Sequence, residues 1–367
     1  MKIGILTSSR ADYSIYFPLL KEIRDNTDYD LEIIAFGTHL SVAHGRTIDN
    51  IIADGFEVAY QLNTMPNGDS PLAVSRAIGE TITAFSQFWQ NTKFDIVFCL
   101  GDRFEMFAAC SASVPYNVKL AHIHGGEETL GAYDNIFRHS ITHMSRVHFT
   151  TTEKYCRRVI ELIQTDKNVF NVGALSIDNL TSLSLLSIEE FRKKFDIDLS
   201  IPSILITFHP ETVSFEKNEE YTDELIAALM AVATDYQLII TMPNADTMGN
   251  MIRHKLKKFI AESGAKGVES FGTIGYLSCM KYARLMLGNT SSGFVEAAFF
   301  SKHVINLGRR QLGRIMTSNI HNCPLERDLI ISAIKDLENT LPAAQTNIYG
   351  SGGTAKKIVS ILNQLHD

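Results

Sequence analysis

The chain has 367 residues, of which 45% are hydrophobic and 20% are charged, and this composition excludes an intrinsically disordered protein. At about 150 residues per domain, the length predicts two domains. The 34 lysines and arginines stand against 41 acidic residues, and the net charge of −7 argues against a nucleic-acid partner, because a broad nucleic-acid surface needs many cations.

Two further exclusions concern membranes and disulfides. No apolar run reaches the roughly 20 residues of a membrane-spanning helix, and the first strand-like run is followed at once by polar residues rather than by the pattern of an export signal. The five cysteines are odd in number, widely spaced and without a CxxC pair. We therefore predict a cytoplasmic protein without a membrane partner, in which the cysteines are reduced core thiols.

The first half of the chain alternates strands and helices. Apolar runs without polar alternation are typical of strands buried on both faces, and amphipathic stretches are typical of the helices that cover them. The predicted strands are residues 2–6, 31–35, 96–100, 120–123 and 169–172, and the clearest helices are residues 18–24 and 74–88. This half therefore predicts an α/β domain with a parallel sheet.

The second half repeats the alternation after a polar, linker-like region. Ser187 and Glu190 have the spacing of a capping box, which predicts the start of a helix. The predicted strands are residues 203–207, 237–241, 285–287 and 304–307, and the predicted helices are residues 223–232, 251–262, 274–282 and 294–299. We place the domain boundary at residue 175, which gives α/β domains of residues 1–174 and 175–350 and a terminal helix within 351–367.

Polar residues stand where the first strands end, and the carboxyl ends of parallel strands are where ligands bind. Arg10 and Asp12 follow the first strand; the alternative is a solvated turn with Asp12 near a helix start. Asp102 follows a glycine after the strand predicted at 96–100, and the alternative is that it serves as a helix N-cap.

The sequence HIHGGEE at residues 122–128 is the most unusual strand end in the first half. Strand alternation puts His122 and His124 on one face, and the two glycines allow a ligand to approach the backbone. Glu127 follows the glycines, and Asp134 and Arg138 lie beyond it on a predicted helix. Packing alone does not account for so many ionisable groups at a sheet edge.

The second half has polar strand ends of a different kind. His209 follows the strand predicted at 203–207, and Pro210 keeps it in an extended conformation. Asn244 follows the next strand, where asparagine is also an ordinary turn residue.

A stretch of small polar residues at 288–293 is the strongest motif of this half, because hydroxyls and backbone amides at a helix start suit a phosphate. It consists of Gly288, Asn289, Thr290, Ser291, Ser292 and Gly293. Serine and threonine capping is the alternative. Glu296 lies about a turn further on, and Arg310 belongs to a basic cluster that could balance a diphosphate.

Carboxylates and histidines in one half and a phosphate cradle with arginines in the other suit a nucleotide-activated substrate. In this order the motifs resemble UDP-N-acetylglucosamine 2-epimerases over nearly the whole chain, and most of all the hydrolysing branch that feeds bacterial sialic acid synthesis. The motifs are RADY at 10–13, GDR at 101–103, HIHGGE at 122–127 with Asp134 and Arg138, His209-Pro210, GNTSSG at 288–293 with Glu296, and GRRQ at 308–311.

The resemblance implies two Rossmann-like domains facing across a cleft, as in glycosyltransferase-B folds, with the helix at 354–365 packing back on the N-terminal domain. It implies a UDP-sugar substrate, no metal and no cofactor, and assembly as a homodimer or homotetramer. The implied chemistry is elimination of UDP to a 2-acetamidoglucal followed by hydration to N-acetylmannosamine.

Residue roles are also carried by the resemblance. Asp102 and Asp134 are the acid/base candidates on the sugar side, His209 lies near the glycosidic oxygen, and His124 and Glu127 complete the catalytic set. Many relatives have glutamate in place of His124. The implied substrate- and nucleotide-binding set is Arg10, Asp12, His39, Arg138, Asn244, Asn289, Thr290, Ser291, Ser292, Gly293, Glu296 and Arg310.

Other functions remain open at this stage. The same groups would serve a 4-acetamido-6-deoxy sugar on the way to legionaminic acid. His122 and His124 with a nearby carboxylate could instead bind a metal in a hydrolase. A non-catalytic sugar-nucleotide sensor and a glycosyltransferase share the expected fold. The sequence around His39 lacks the Gln-His stretch with which the non-hydrolysing branch binds an activating UDP-sugar, so no activator is expected.

Overall fold

The computed structural model describes residues 1–65, 68–243, 246–338, 340–341, 344 and 346–366. Contacts divide the chain into two compact units. The first unit comprises Met1–Glu127, Asp134–Thr181 and Ile348–Asp367, and the second comprises Glu128–Tyr133 and Ser182–Asn347.

The first unit is a parallel sheet covered by helices. Its strands among the described residues are β1 (Lys2–Thr7), β2 (Asp30–Phe36), β3 (Tyr60–Leu62), β4 (Ile96–Leu100), β5 (Leu120–Ile123), β6 (Val147–Thr150) and β7 (Val169–Asn171). They lie in the order β3-β2-β1-β4-β5-β6-β7. The α-helices described between residues 1 and 182 are α1 (Arg10–Arg24), α2 (Ile48–Ala53), α3 (Pro71–Asn91), α4 (Phe104–Ser113), α5 (Asp134–Met144), α6 (Glu153–Ile163) and α7 (Leu175–Ser182).

The central strands of this sheet are apolar throughout because both of their faces are covered. Ile96 and Phe98 of β4 belong to one apolar cluster, whereas Val97 and Cys99 belong to the cluster on the other side. Ile5 of β1 pairs in register with Ile33 of β2 and with Phe98. The two clusters cover both faces of the sheet and leave the carboxyl ends of the strands for polar residues.

The second unit repeats this plan. Its strands among the described residues are β8 (Ser203–Thr207), β9 (Gln237–Thr241), β10 (Lys266–Val268), β11 (Leu285–Gly288), β12 (Val304–Leu307) and β13 (Ile320–Cys323), in the parallel order β10-β9-β8-β11-β12-β13. Its helices are α8 (Ile188–Phe195), α9 (Asn218–Val232), α10 (Gly249–Ser263), α11 (Gly272–Tyr282), α12 (Glu296–Phe299) and α13 (Arg327–Glu338). The predicted α/β architecture of two parallel-sheet domains is confirmed.

The last helix, α14 (Thr354–His366), belongs to the first unit. Ala355, Ile358 and Leu362 are buried in the same apolar cluster as Leu20 of α1. The backbone amides of Thr354 and Ala355 donate to the carboxylate of Asp178 at 3.0 and 2.7 Å, which satisfies two donors that a helix start leaves without partners.

Several elements differ from the sequence predictions. Four of the described strands had not been predicted: β3, β6, β10 and β13. Three of them, β3, β10 and β13, are short strands at a sheet edge, where partial burial leaves only a weak apolar pattern in the sequence. The capping box of Ser187 and Glu190 at the start of α8 is confirmed. The change from the first to the second unit follows Thr181 rather than residue 174, because α7 packs with the first unit through buried Leu175.

Two findings bear on the exclusions drawn from composition. Among the described residues, no helix is long and apolar enough to cross a membrane. Cys99, Cys110, Cys156, Cys279 and Cys323 are all buried and unbridged, as the sequence predicted.

Candidate functional site

The turn after β1 carries Arg10 as the first residue of α1. Ser9 is the N-cap, and Asp12 completes a capping box with it. The Asp12 carboxylate is buried and accepts hydrogen bonds from the amide and the hydroxyl of Ser8 at 2.8 and 2.7 Å, and from the hydroxyl of Ser9 at 2.9 Å. Asp12 thus holds the turn that presents Arg10, and its predicted place in the substrate-binding set stays a prediction.

His39 is likewise held inside the fold. It follows β2, is fully buried, and has Nε2 2.9 Å from the Thr7 hydroxyl and Nδ1 2.9 Å from the Thr47 hydroxyl. Burial lowers the pKa of His39 to about 4, so the ring is neutral at physiological pH. Both ring nitrogens of His39 are engaged within the first unit, and its predicted place in the binding set stays a prediction.

The turn after β4 presents Asp102 beside Arg138. The guanidinium of Arg138, on α5, forms an ion pair with the Asp102 carboxylate, and the Asp102 side chain stays about one fifth exposed while Arg138 is nearly buried. Arg103, not Asp102, is the N-cap residue of α4, so the capping alternative for Asp102 is wrong. The structure therefore brings together two residues that lie 36 positions apart and leaves the carboxylate accessible.

His122 contacts both of the segments that carry this pair. It is fully buried; its Nε2 donates to the carbonyl of Gly101 at 2.9 Å, and its Nδ1 lies 3.1 Å from the hydroxyl of Thr142 on α5. Burial lowers the pKa of His122 to about 3, which keeps the ring neutral. His122 thus ties the turn that carries Asp102 to the helix that carries Arg138.

His124 and Glu127 form a pair just beyond β5. His124 Nδ1 lies 3.3 Å from Glu127 Oε1, and the same oxygen accepts from the Thr151 hydroxyl at 3.0 Å. His124 has a φ of +67°, a left-handed conformation that non-glycine residues seldom adopt. Gly126 follows at φ +79°, where a Cβ would lie 2.3 Å from the Tyr155 carbonyl. The tight glycine turn therefore fixes both ionisable side chains.

Asp134 opens α5, one turn before Arg138. Residues four apart share a helix face, so the carboxylate of Asp134 lies on the side of α5 that carries the partner of Asp102. In the first unit, the predicted residues Arg10, Asp102, His124 and Glu127 thus follow the carboxyl ends of β1, β4 and β5 within four residues, and Asp134 and Arg138 lie on α5.

In the second unit, the backbone around His209 is held at three consecutive residues. The side-chain amide of Asn289 accepts from the His209 N–H at 2.7 Å and donates to its carbonyl at 2.8 Å. Arg310 donates to the Pro210 carbonyl at 2.6 Å. Asn218 makes the same double contact with Glu211, at 2.9 and 3.0 Å. The loop is therefore preorganised and presents His209 from the end of β8.

Asn289 itself is fully buried. Both hydrogen-bonding atoms of its side-chain amide are used on His209, which gives Asn289 a positioning role, while its predicted contact with the nucleotide stays a prediction. Gln311 donates to the Asn289 carbonyl at 2.8 Å, and Arg314 donates to Gln311 Oε1 at 2.6 Å. These two residues, neither of them in the predicted site set, extend the support of His209 to the loop after β12.

The small-residue motif is not the start of a long helix. It forms a 3₁₀ turn over Ser291–Gly293, and the following α12 has only four residues. The amides of Gly293 and Phe294 donate within the turn, to the Thr290 and Ser291 carbonyls. The motif therefore starts a short turn rather than a long helix, and phosphate binding by this turn stays a prediction.

Those hydroxyls form a chain. Thr290 Oγ1 lies 3.1 Å from Ser292 Oγ, which lies 2.6 Å from the hydroxyl of Tyr276 on α11. Burial raises the pKa of Tyr276 to about 12, so its hydroxyl keeps its proton. Ser291 is exposed, and Glu296 begins α12 half-buried.

Arg310 is buried and lies between two loops. Besides its bond to Pro210, its Nη2 lies 3.4 Å from the carboxylate of Asp246, which follows β9. The predicted Asn244 lies outside the described residues. Asp246, two positions further along, was missed in the sequence analysis, where an aspartate after a strand carries no signal beyond that of an ordinary turn residue.

The structure also bears on the metal alternative. Among the described residues, no group of three or more histidine, cysteine, aspartate or glutamate side chains is disposed to hold a metal ion.

Comparison with known proteins adds to this geometry. The chain is 35% identical to the Escherichia coli polysialic acid biosynthesis protein P7 over 91% of its own length and 85% of that protein. It is 30% identical to the hydrolysing UDP-N,N'-diacetylbacillosamine 2-epimerase of Legionella pneumophila, over 99% and 96% of the two chains.

The fold is shared with a solved structure as well. The crystal structure of the UDP-N-acetylglucosamine 2-epimerase of Neisseria meningitidis, bound to UDP-N-acetylglucosamine, superposes with a TM-score of 0.83 at 18% identity, over 99% of this chain and 100% of that one. The family model described as UDP-N-acetylglucosamine 2-epimerase matches residues 21–363. With this match spanning most of the sequence, the chain belongs to the UDP-N-acetylglucosamine 2-epimerase family.

Proposed function

We propose that this chain is a hydrolysing 2-epimerase that converts UDP-N-acetylglucosamine to N-acetylmannosamine and UDP, for sialic acid synthesis. The observation that carries the proposal is the His124 and Glu127 pair. A non-glycine residue in the left-handed region costs about 1–3 kcal/mol and persists where the surrounding structure demands it, most often at functional sites. His124 bears that cost in a turn that aims an imidazole and a carboxylate at each other.

The first step of the proposed reaction acts on the sugar. A base removes the proton at C2 while the C1–O bond breaks, the electron pair leaves with UDP, and a C1=C2 double bond forms. Asp102 is our candidate base, because its carboxylate is partly exposed and Arg138 fixes its orientation. Asp134, on the helix of Arg138, is the second acid/base candidate.

The second unit supplies the groups proposed for the diphosphate. The C2 hydrogen is weakly acidic, so stabilising the departing UDP matters as much as the base. Arg310 is the proposed cation, and Ser291 and Ser292 are the proposed hydroxyl donors to the diphosphate. His209, on the loop that Asn289 holds by hydrogen bonds, is proposed to contact the phosphate oxygen that leaves. Arg10, held by the capping box of the first unit, is proposed to add a second cation.

Hydration completes the proposed sequence. Water adds its oxygen to C1 of the glucal, and a proton adds to C2 on the face opposite the one it left, so the configuration at C2 is inverted. His124 and Glu127 suit this step because an imidazole exchanges protons near neutral pH and the carboxylate can hold the imidazolium. No metal or cofactor is part of this proposal.

Deuterium incorporation tests the proposal. The protein is incubated with UDP-N-acetylglucosamine in deuterated water, and we expect UDP and free N-acetylmannosamine with deuterium at C2. Unlabelled product, transfer to an acceptor or absence of turnover would contradict the proposal. Loss of activity with a chelator, restored by a divalent cation, would favour the metal-dependent alternative.

A second substrate is supported by a specific comparison. The Legionella relative, which spans 99% of this chain, is named for a 4-acetamido-6-deoxy sugar nucleotide. The elimination, the diphosphate groups and the hydration proposed above serve that substrate equally. Turnover of the two UDP-sugars, measured side by side at equal concentration, decides between them, and the larger kcat/KM identifies the substrate.

We also propose that the protein acts in the cytoplasm as a homodimer or homotetramer. Sedimentation equilibrium of the purified chain tests the assembly, and a mass of 40.9 kDa for the dominant species would contradict it.

A further inference from the structure

Six consecutive residues near the candidate site belong to the second unit, although the chain on both sides of them belongs to the first unit. The chain leaves the first unit after Glu127, contributes Glu128–Tyr133 to the second unit, and returns to the first unit at Asp134. We call Glu128–Tyr133 the crossing segment. Its two ends are therefore attached directly to two candidate acid/base residues.

Hydrogen bonds hold the crossing segment to the second unit. The amide of Leu130 donates to the Leu312 carbonyl at 2.8 Å. The amide of Tyr133 donates to the Thr212 hydroxyl at 3.0 Å, and the Tyr133 hydroxyl lies 3.2 Å from that of Thr247. These partners lie on the loops that also carry Arg310, His209 and Asp246, which are the second unit's candidate groups.

Backbone packing at Gly131 is closer still. A Cβ at Gly131 would lie 2.3 Å from the Arg309 carbonyl oxygen and 2.6 Å from Arg310 Cα, both of them backbone atoms. A Cβ at Gly313 would lie 2.8 Å from that of Glu128. Glycine at 131 is therefore required for the crossing segment to lie directly on the backbone of the arginine loop at 308–314.

The segment is short and internally bonded. The amide of Ala132 donates to the Thr129 carbonyl at 2.9 Å, and both residues are nearly fully buried. This internal hydrogen bond and the burial of both residues oppose extension of the segment, since extending it would break the bond and expose them. A displacement of the arginine loop therefore moves both ends of the segment.

Each end is tied to the groups of the first unit. Glu127 is held by His124 and by the Thr151 hydroxyl. Asp134 begins the helix whose Arg138 pairs with Asp102. A shift at either end would change the placement of a carboxylate, and misplacement by about 1 Å costs a catalytic group on the order of 100-fold in rate.

We propose that the crossing segment is a positioning segment that sets Glu127 and Asp134 according to the state of the arginine loop, with Gly131 as its positioning residue. This inference rests on the proposed function, because it takes the arginine loop to hold the diphosphate. Occupation of that loop by UDP then orders the acid/base groups before chemistry begins.

Hydrogen exchange with UDP alone as the probe tests the wild-type chain. Saturating UDP is expected to slow amide exchange in peptides that cover 124–127 and 134–138, besides those at 308–314. If UDP binds and only the second unit's loops are protected, the inference is overturned while the proposed function stands. If UDP does not bind, the proposed function fails and the inference fails with it.

Gly131→Ala tests the positioning residue. Because the added Cβ displaces the backbone at Arg309 and Arg310, we expect some loss of UDP affinity, a further fall in kcat of about 10-fold or more at saturating substrate, and loss of the UDP-dependent protection at 124–127. Equal loss in kcat and in UDP affinity, or retained protection, would overturn the inference.

Two further variants keep this test independent of folding. Gly79→Ala on α3 is the matched control, because a Cβ there meets no atom within 4 Å, and its kinetics are expected to be unchanged. Tyr133→Phe removes only the hydroxyl near Thr247 and keeps the ring. It is expected to reduce the UDP-dependent protection and kcat in the same direction as Gly131→Ala, and unchanged protection would contradict the inference.

Discussion

Replacing Asn289 with alanine should separate the positioning of His209 from direct contact with the substrate. The side-chain amide of Asn289 makes two hydrogen bonds, at 2.7 and 2.8 Å, to the backbone of His209, and it is fully buried. The variant leaves a buried N–H and a buried C=O without these partners. We therefore expect the loop after β8 to loosen and His209 to lose its fixed direction.

The size of the effect follows from those two bonds. Each buried polar group left unsatisfied costs about 1–3 kcal/mol, so the Asn289→Ala variant should lose about 2–6 kcal/mol if the loop cannot rearrange. Rearrangement would restore part of this free energy at the expense of the geometry of His209. We accordingly expect a stability loss in the lower part of the range together with a decrease in kcat of about 100-fold.

The assay combines urea unfolding with UDP release from UDP-N-acetylglucosamine. Asn289→Asp is a milder companion, because it keeps the acceptor for the His209 N–H and loses the donor to the carbonyl. Asn218→Ala is the matched control: it removes the same pair of bonds, at 2.9 and 3.0 Å, from Glu211.

We expect the two alanine variants to lose similar stability, and the Asn289 variant to lose far more turnover. Near-native kcat in Asn289→Ala would refute the positioning of His209. An equal loss of kcat in Asn218→Ala would show that general loosening of the loop, rather than the direction of His209, limits the rate.

Three further predictions follow from the structure. Asp102→Asn should abolish most turnover while the thermal midpoint stays near that of the wild type, as measured by product formation and calorimetry. Burial lowers the pKa of His122 to about 3 and that of His39 to about 4. Below pH 6.5 the unfolded chain therefore binds more protons than the folded chain. Acidification from pH 7 should lower the free energy of unfolding by up to about 1.4 kcal/mol per pH unit for each ring. Gly288→Ala should prevent soluble folding, because its Cβ would lie 1.9 Å from the Thr207 carbonyl oxygen at φ +138°.

Matched variants control these measurements. Gly264→Ala also has a positive φ, of +75°, but no atom lies within 4 Å of the added Cβ, so it should fold with a modest loss of stability. His39→Gln should flatten the dependence of stability on acid pH, because the buried ring with the lowered pKa is removed. An unaltered pH slope in the His39 variant, or wild-type turnover in Asp102→Asn, would show that the corresponding assignment is wrong.

Part of the candidate site was predictable because strand ends are visible in the sequence. A run of buried apolar residues that stops at a polar residue marks the carboxyl edge of a parallel sheet, and Asp102 and His209 were found in this way. The pairing of Asp102 with Arg138 was not predictable from spacing, since the two lie on different elements brought together by the packing of α5 on β5.

The internal hydrogen bonds of other predicted residues could not be predicted for the same reason. Asn289 and Asp12 carry side chains that suit a ligand equally well, and the sequence does not show that backbone groups already occupy them. The short edge strands escaped prediction because three or four residues with one weakly buried face leave little periodicity to detect.

The order of apolar and polar segments along the chain, by itself, determined two parallel-sheet domains and the set of loops in which chemistry is located, because burial and strand geometry leave a local imprint on residue type. Only the tertiary structure decided which members of that set are accessible groups, such as Asp102, and which are internal supports, such as His39. The physical reason is that the hydrogen-bond partners of a side chain and its exclusion from water depend on residues distant in sequence. Until those neighbours are known, the same side chain is equally suited to bind a substrate and to hold the protein's own backbone.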